Sequence, residues 1–203
     1  MKKNIIVTGG TGRFGNHLKS ISTKHKLFFP TKNQFNILNI NSMVKYFKKT
    51  KPDIVIHLAG FSRPMELHEK DINKSINLNI IGTANVTVAC SQKNIKLIYF
   101  STNYVYPGIN GNYNEDDPLK PFNNYAWSKL GGECSVKLYK NSLILRVCMT
   151  EKPFIHKKAF ANVKTSFMYH DEVAKILFKL LNKQGIINIG GKAQYIFNFA
   201  KKE

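Results

Sequence analysis

Tyr125 and Lys129 are the side chains of this 203-residue chain best suited to moving a proton onto or off a ligand oxygen. They stand in Asn123-Asn124-Tyr125-Ala126-Trp127-Ser128-Lys129-Leu130-Gly131-Gly132-Glu133. A spacing of four puts both on one face of a helix. A free phenol keeps its proton until about pH 10, and a nearby positive charge favours the phenolate. A phenol beside an ammonium can therefore act as an acid near neutral pH. Tyr and Lys also share many solvated helix faces, so the pair gains its meaning from what accompanies it.

A second group stands at the N-terminus, in Thr8-Gly9-Gly10-Thr11-Gly12-Arg13-Phe14-Gly15. Asn4-Ile5-Ile6-Val7 before it reads as a buried strand, and Asn16 to Ile21 after it as the start of a helix. A strand, a glycine turn and a helix N-terminus make an anion site, because free N–H groups and the helix dipole point at the ligand. Gly9 would make the tight turn, Gly12 would admit a pyrophosphate, and Gly15 would let helix and strand pack closely. The spacing is Gly-x-x-Gly-x-x-Gly rather than the Gly-x-Gly-x-x-Gly of the usual dinucleotide fingerprint.

The elements that must position these groups alternate between strand and helix. Lys26–Phe29 reads as a second strand ended by Pro30, Ser42–Lys49 as a helix, and Asp53–Leu58 as a buried strand. A long helix is expected from about Ile72 to Gln92, with Ile76, Ile80, Ala84 and Val88 spaced four apart. Lys96–Phe100 is a strand feeding a Pro- and Gly-containing loop from Ser101 to Phe122. The Tyr125 helix and the strand Leu143–Val147 follow. Such alternation predicts an α/β fold, a doubly wound parallel sheet of Rossmann type covered by helices on both faces. The glycine loop, Leu58-Ala59-Gly60 and Ser101-Thr102 would then share the sheet's C-terminal edge.

Composition sets the outer limits. A hydrophobic fraction of 43% suits a globular chain long enough for one sizeable core. No apolar run approaches the roughly 18 residues of a membrane span, and the short run after Met1-Lys2-Lys3 does not make a signal peptide. The net charge of +19 comes almost wholly from lysine, with Arg13, Arg63 and Arg146 as the only arginines. The charge is spread along the chain without a stacking motif, so no nucleic-acid partner is expected. Cys90, Cys134 and Cys148 are odd in number, which suggests reduced thiols and a cytoplasmic setting. His156, His170 and Asp171 lack metal-ligand spacing, and no metal site is expected.

The chain resembles the extended short-chain dehydrogenases/reductases of the nucleotide-sugar epimerase, dehydratase and reductase group, most of all the dTDP-4-dehydrorhamnose reductases. Five stretches carry the resemblance in order: Val7–Gly15, Pro52–Gly60, Asn79-Ile80-Ile81-Gly82-Thr83-Ala84-Asn85, Ser101-Thr102-Asn103-Tyr104-Val105-Tyr106 and Tyr125–Lys129, the last continuing into Gly131-Gly132-Glu133. The likeness is strong from residue 1 to about 148 and weaker from Ser166 onward. It implies a cofactor-binding Rossmann domain over 1–150 and a reduced substrate lobe over 151–203, packed as one compact unit. It also implies an NAD(P)-dependent oxidoreductase that reduces a keto group on a nucleotide-linked deoxysugar. A nucleotide-sugar epimerase and a non-catalytic NADP-binding regulatory subunit are the alternatives on this scaffold.

The resemblance assigns roles. Tyr125 is the expected general acid, Lys129 lowers its pKa and holds the nicotinamide ribose, and Thr102 hydrogen-bonds the reacting oxygen. The cofactor is expected on Gly9, Thr11, Gly12, Arg13, Phe14, Gly15, Lys32, Asn36, Ile37, Leu58, Ala59, Gly60 and Asn79, besides Tyr125 and Lys129. Asn36-Ile37 stands where many relatives have Asp and an apolar residue beside the adenine. NAD enzymes often carry a carboxylate after the second strand; here Pro30-Thr31-Lys32 stands instead. With Arg13 and Lys32 as candidates for a 2′-phosphate, NADP(H) is favoured over NAD(H). Relatives often dimerise through helices like the one bearing Tyr125, so a homodimer is an expected state.

Overall fold

The computed structural model describes residues 1–155 and 158–202. Its centre is a six-stranded parallel sheet in the order β2-β1-β3-β4-β5-β9. The strands are β1 (Asn4–Thr8), β2 (Lys26–Phe28), β3 (Ile54–His57), β4 (Lys96–Thr102), β5 (Ser142–Val147) and β9 (Gly185–Ile189). The order turns back between β1 and β3, which leaves a crevice at the C-terminal ends of those strands.

Apolar side chains alternate strictly across the sheet. Ile5, Val7, Ile54, Ile56, Ile98, Phe100, Leu143 and Leu145 face one layer, containing α1 (Arg13–Lys19) and α7 (His170–Lys179). Ile6, Val55, Leu97, Tyr99 and Ile144 face the other. That layer holds α2 (Ile40–Thr50), α5 (Gly82–Gln92) and α6 (Asn124–Lys137). Because both faces are covered, the strands read as continuous apolar runs rather than alternating ones.

The remaining elements are short: α3 (Leu67–Lys70), α4 (Ile72–Ser75), β6 (Met149–Thr150), β7 (Lys164–Thr165), β8 (Met168–Tyr169), β10 (Gln194–Tyr195) and α8 (Ile196–Ala200). β6 pairs with β8, and β10 with β7. β9 returns to the central sheet beside β5, with Val147 opposite Ile189.

Several expected bounds shift, among them β3 to Ile54–His57, α2 to Ile40–Thr50, the start of α1 to Arg13 and the end of β4 to Thr102. The second strand ends at Phe28 rather than Phe29. The long helix is α4, then a π-helical stretch Ile76–Ile81, then α5. A π turn adds a residue and shifts the phase of the helix face. The residues that turn inward are therefore Asn79, Thr83, Val86, Ala89 and Cys90, while Ile76 and Val88 of the four-spaced stripe are exposed.

Candidate active site

The site is built at the sheet's C-terminal edge. Gly9 leaves β1 at φ +70, and a Cβ there would lie 2.7 Å from the backbone nitrogen of Ala59. Only glycine combines that backbone with that approach. A Cβ on Gly15 would run into the carbonyl oxygen of Gly9, so α1 closes tightly on the loop. No side chain caps the start of α1 at Gly12. The glycine loop thus offers a close backbone cradle and an uncapped helix start, which suit the phosphates of a dinucleotide. The loop after β3 is tied to it: Thr8 Oγ1 accepts from the N–H of Ala59 at 3.0 Å and of Leu58 at 3.2 Å.

His57 ends β3 beneath this edge. Its ring nitrogens meet Thr8 Oγ1 at 2.9 Å and Thr83 Oγ1 at 3.2 Å. Burial, with the charge of Lys129, lowers its pKa to about 3, so the ring is neutral. Asn79, brought inward by the π turn, joins three elements. It accepts from Phe61 N at 2.7 Å and donates to Phe61 O and Ser128 Oγ, each at 2.8 Å. All its polar capacity here is internal, so Asn79 bears on the site by fixing the Gly60–Phe61 backbone to α6.

Asn123 caps α6 by accepting from Ala126 N at 2.8 Å, which sets Tyr125 in the first turn. Tyr125 and Lys129 are both recessed with partial solvent access. Thr102, at the end of β4, accepts from Tyr104 N at 3.2 Å, and its side chain lies near enough to the Tyr125 phenol to favour the ionised form. Enclosure raises the Tyr125 phenol to about 12, and Tyr104 adds to the rise; the Thr102 hydroxyl and the Arg63 charge oppose it. The cation acting on the phenol in this state is thus Arg63, whereas the sequence pointed to Lys129. Lys129 has its ammonium over the Tyr99 ring, 4.2 Å from the centroid. Desolvation lowers its pKa to about 7, against the raising effect of Glu133.

Several residues of the site were not singled out from the sequence. His68 is buried between Phe61 and Tyr125, with ring centroids 4.3 and 5.2 Å away, and its Nδ1 meets Ser75 Oγ at 2.5 Å. Glu151 pairs with Arg13 at 2.6 Å and lies 3.7 Å from Arg63. Burial works to raise the Glu151 carboxyl, but hydrogen bonds from the backbone and Arg13, with the Arg63 charge, hold it below its usual range. The scarcity of arginine was the available signal: two of the three in the chain converge on this one carboxylate.

The third arginine is buried. Arg146 on β5 meets Glu133 of α6 at 3.0 Å and donates to Tyr106 Oη at 2.7 Å and Glu115 O at 2.8 Å. Tyr106 Oη in turn lies 2.9 Å from Asn188 Oδ1 on β9. This network fixes the loop that leads from Thr102 to Tyr125.

The adenine-side candidates lie in the turns after β2. Asn36 Oδ1 accepts from Leu38 N at 3.0 Å, Ile37 is buried in the second core layer, and Lys32 is exposed. Arg13 is held by Glu151, while Lys32 is exposed in the turn that follows β2. His156 lies outside the described residues. Among those described, no group of three or more His, Cys, Asp or Glu side chains could hold a metal ion, and no helix is long and apolar enough to cross a membrane.

Residues 2–165 match the family described as the RmlD substrate binding domain. The chain belongs to this family. It also superposes on the NADP complex of dTDP-4-dehydrorhamnose reductase from Bacillus anthracis with a TM-score of 0.89 and 25% identity, over 100% of this chain and 80% of that one. Among curated relatives, the spore coat polysaccharide biosynthesis protein SpsK of Bacillus subtilis is 32% identical over 146 residues, covering 70% of this chain and 51% of SpsK. Methionine adenosyltransferase 2 subunit beta of Pongo abelii is 28% identical over 143 residues, covering 66% of this chain and 42% of that protein. This RmlD-family chain spans about half the length of the curated relatives it matches.

Proposed function

We propose that the chain is an NAD(P)(H)-dependent reductase of a keto group on a nucleotide-linked deoxysugar. The observation that carries this is the nearness of the Thr102 side chain, at the end of β4, to the Tyr125 phenol, one helical turn from Lys129 and at the same sheet edge as a glycine loop shaped for phosphates. A nicotinamide cofactor held by the glycine loop and Lys129 would supply hydride to the carbonyl carbon. Tyr125 gives its phenolic proton to the carbonyl oxygen as that oxygen gains charge. Thr102 orients the oxygen and stabilises that charge. Arg63 favours the phenolate that Tyr125 leaves behind. Lys129 offers N–H groups to the ribose hydroxyls.

NADP(H) is favoured over NAD(H). Lys32 is exposed where a carboxylate would reject a 2′-phosphate, and the structural relative from Bacillus anthracis holds NADP. Residues 151–203 are assigned to the substrate side, with 1–150 as the cofactor-binding unit. The free thiols of Cys90, Cys134 and Cys148 fit a cytoplasmic setting. Exposed Trp127 on α6, with exposed Ile81 of the π-helical stretch and Val88 of α5, two elements that pack against α6, fits a homodimer through these helices.

Replacing Tyr125 by Phe tests the reading. Turnover of a ketosugar should vanish while NADPH binding stays nearly intact. Undiminished turnover would refute the role of Tyr125. A second reading, a cofactor-binding subunit that serves a partner enzyme, is favoured by the likeness to methionine adenosyltransferase 2 subunit beta. It requires a co-purifying enzyme partner and no reduction of any ketosugar.

A further inference from the structure

We propose that Tyr99 is the positioning residue of Lys129, holding its ammonium on the ring face so that it points into the cofactor cleft. The proposal rests on the reductase reading for its purpose, though not for its geometry. Tyr99 is fully buried on β4, on the layer that packs against α6. One side chain touches Lys129 at both ends. The ring carries the ammonium at 4.2 Å, and the hydroxyl donates to the Lys129 carbonyl at 3.2 Å.

The helix is built to admit that ring. A Cβ on Gly132 would lie 2.5 Å from Tyr99 Oη and 2.7 Å from the carbonyl oxygen of Asn79. The glycine therefore lets α6 come down onto Tyr99. Among the described residues no carboxylate lies within salt-bridge reach of Lys129, and the nearby acid, Glu133, is bound by Arg146. A desolvated ammonium without a paired anion is expensive, and an aromatic face recovers part of that loss. The ionisable groups around Lys129 are Glu133 and Tyr125 on α6, His57 on β3 and Tyr99 itself. His57 is neutral and Glu133 is shared with Arg146, so among the described residues the ring is the partner dedicated to the ammonium.

The test is the titration of Lys129 in the empty protein, followed by lysine NMR with Lys129→Arg to assign the signal. Tyr99→Phe keeps the ring and Tyr99→Leu removes it; Tyr99→Met is the second ring-less variant if the leucine form does not fold. Tyr99→Phe should titrate with the parent. Tyr99→Leu or Tyr99→Met should lose the proton about one pH unit lower, a tenfold change in the equilibrium. The alkaline limit of NADPH binding should move down with it. An unmoved titration in the ring-less variants overturns the proposal. So does an equal shift in Tyr99→Phe, which would assign the effect to the hydroxyl. Neither readout needs turnover, so failure to reduce a ketosugar would sink the reductase reading and leave this one standing.

Discussion

Glu151 accepts a hydrogen bond from Arg13 at 2.6 Å, across 138 residues of sequence. It brings a carboxylate to the glycine loop, where the phosphates of a dinucleotide are expected. Arg13 is half exposed, so the pair is screened and worth at most about 1 kcal/mol.

Glu151→Gln should therefore free Arg13 for phosphate and tighten NADPH binding, by about fivefold at most at low salt. The gain should fade as ionic strength rises. Fluorescence titration at two salt concentrations measures both effects. Weaker binding in the variant would mean that Glu151 orients Arg13 for the ligand instead.

Thr102→Val removes the hydroxyl beside Tyr125 and leaves the volume. With the proposed role, kcat should fall about 10²–10³-fold, the usual loss of one oxyanion donor. NADPH affinity should hold. Thr102→Ser should recover most of the rate, and a variant as active as the parent would remove Thr102 from the chemistry.

Arg146→Met would strand Glu133, which is 3% exposed. Breaking a buried pair from one side costs about 3–5 kcal/mol. Combining it with Glu133→Leu should restore much of the loss, since no unpaired charge is then buried. Urea unfolding of the three variants checks this; a single variant as stable as the parent would contradict the burial argument.

Acid stability follows from His57. Folding lowers its pKa from 6.5 to about 3, so the unfolded chain binds more protons between those values. Stability therefore falls as pH drops through that window. His25, His68 and His170 are lowered as well and add to the slope. Lys129, lowered from 10.5 to about 7, makes stability rise with pH between those values. His57→Asn should flatten the acid limb of a urea-midpoint profile, and profiles parallel to the parent's would rule out His57 as a source.

The sheet was legible because its strands are buried on both faces. Ile5-Ile6-Val7 and Leu143-Ile144-Leu145 could not be solvated in any arrangement. The three loops at one edge followed from parallel strands, and the parallel registers that set Thr8 beside His57 and His57 beside Tyr99 of β4 bear that out. The helix face through Asn79 was not legible, because spacing by four assumes an α-helical pitch and the π turn breaks it. The partner of Arg13 was hidden for another reason: ion pairs across 138 residues leave no local pattern. The cation nearest in sequence to Tyr125, Lys129, suggested itself as its tuner. Arg63 takes that part because a loop from another strand end delivers it.

Arg146 has a consequence for how the molecule breathes. Its guanidinium binds α6 through Glu133, the loop over Tyr125 through Tyr106 and Glu115, and reaches β9 by way of Tyr106 and Asn188. The backbone N–H of Asn188 also donates to Glu115 Oε1 at 2.7 Å. That loop cannot lift without opening contacts that close the last sheet strand. Its amide protons should therefore be protected together with those of β9, which makes the loop over Tyr125 and that edge strand one cooperative unit.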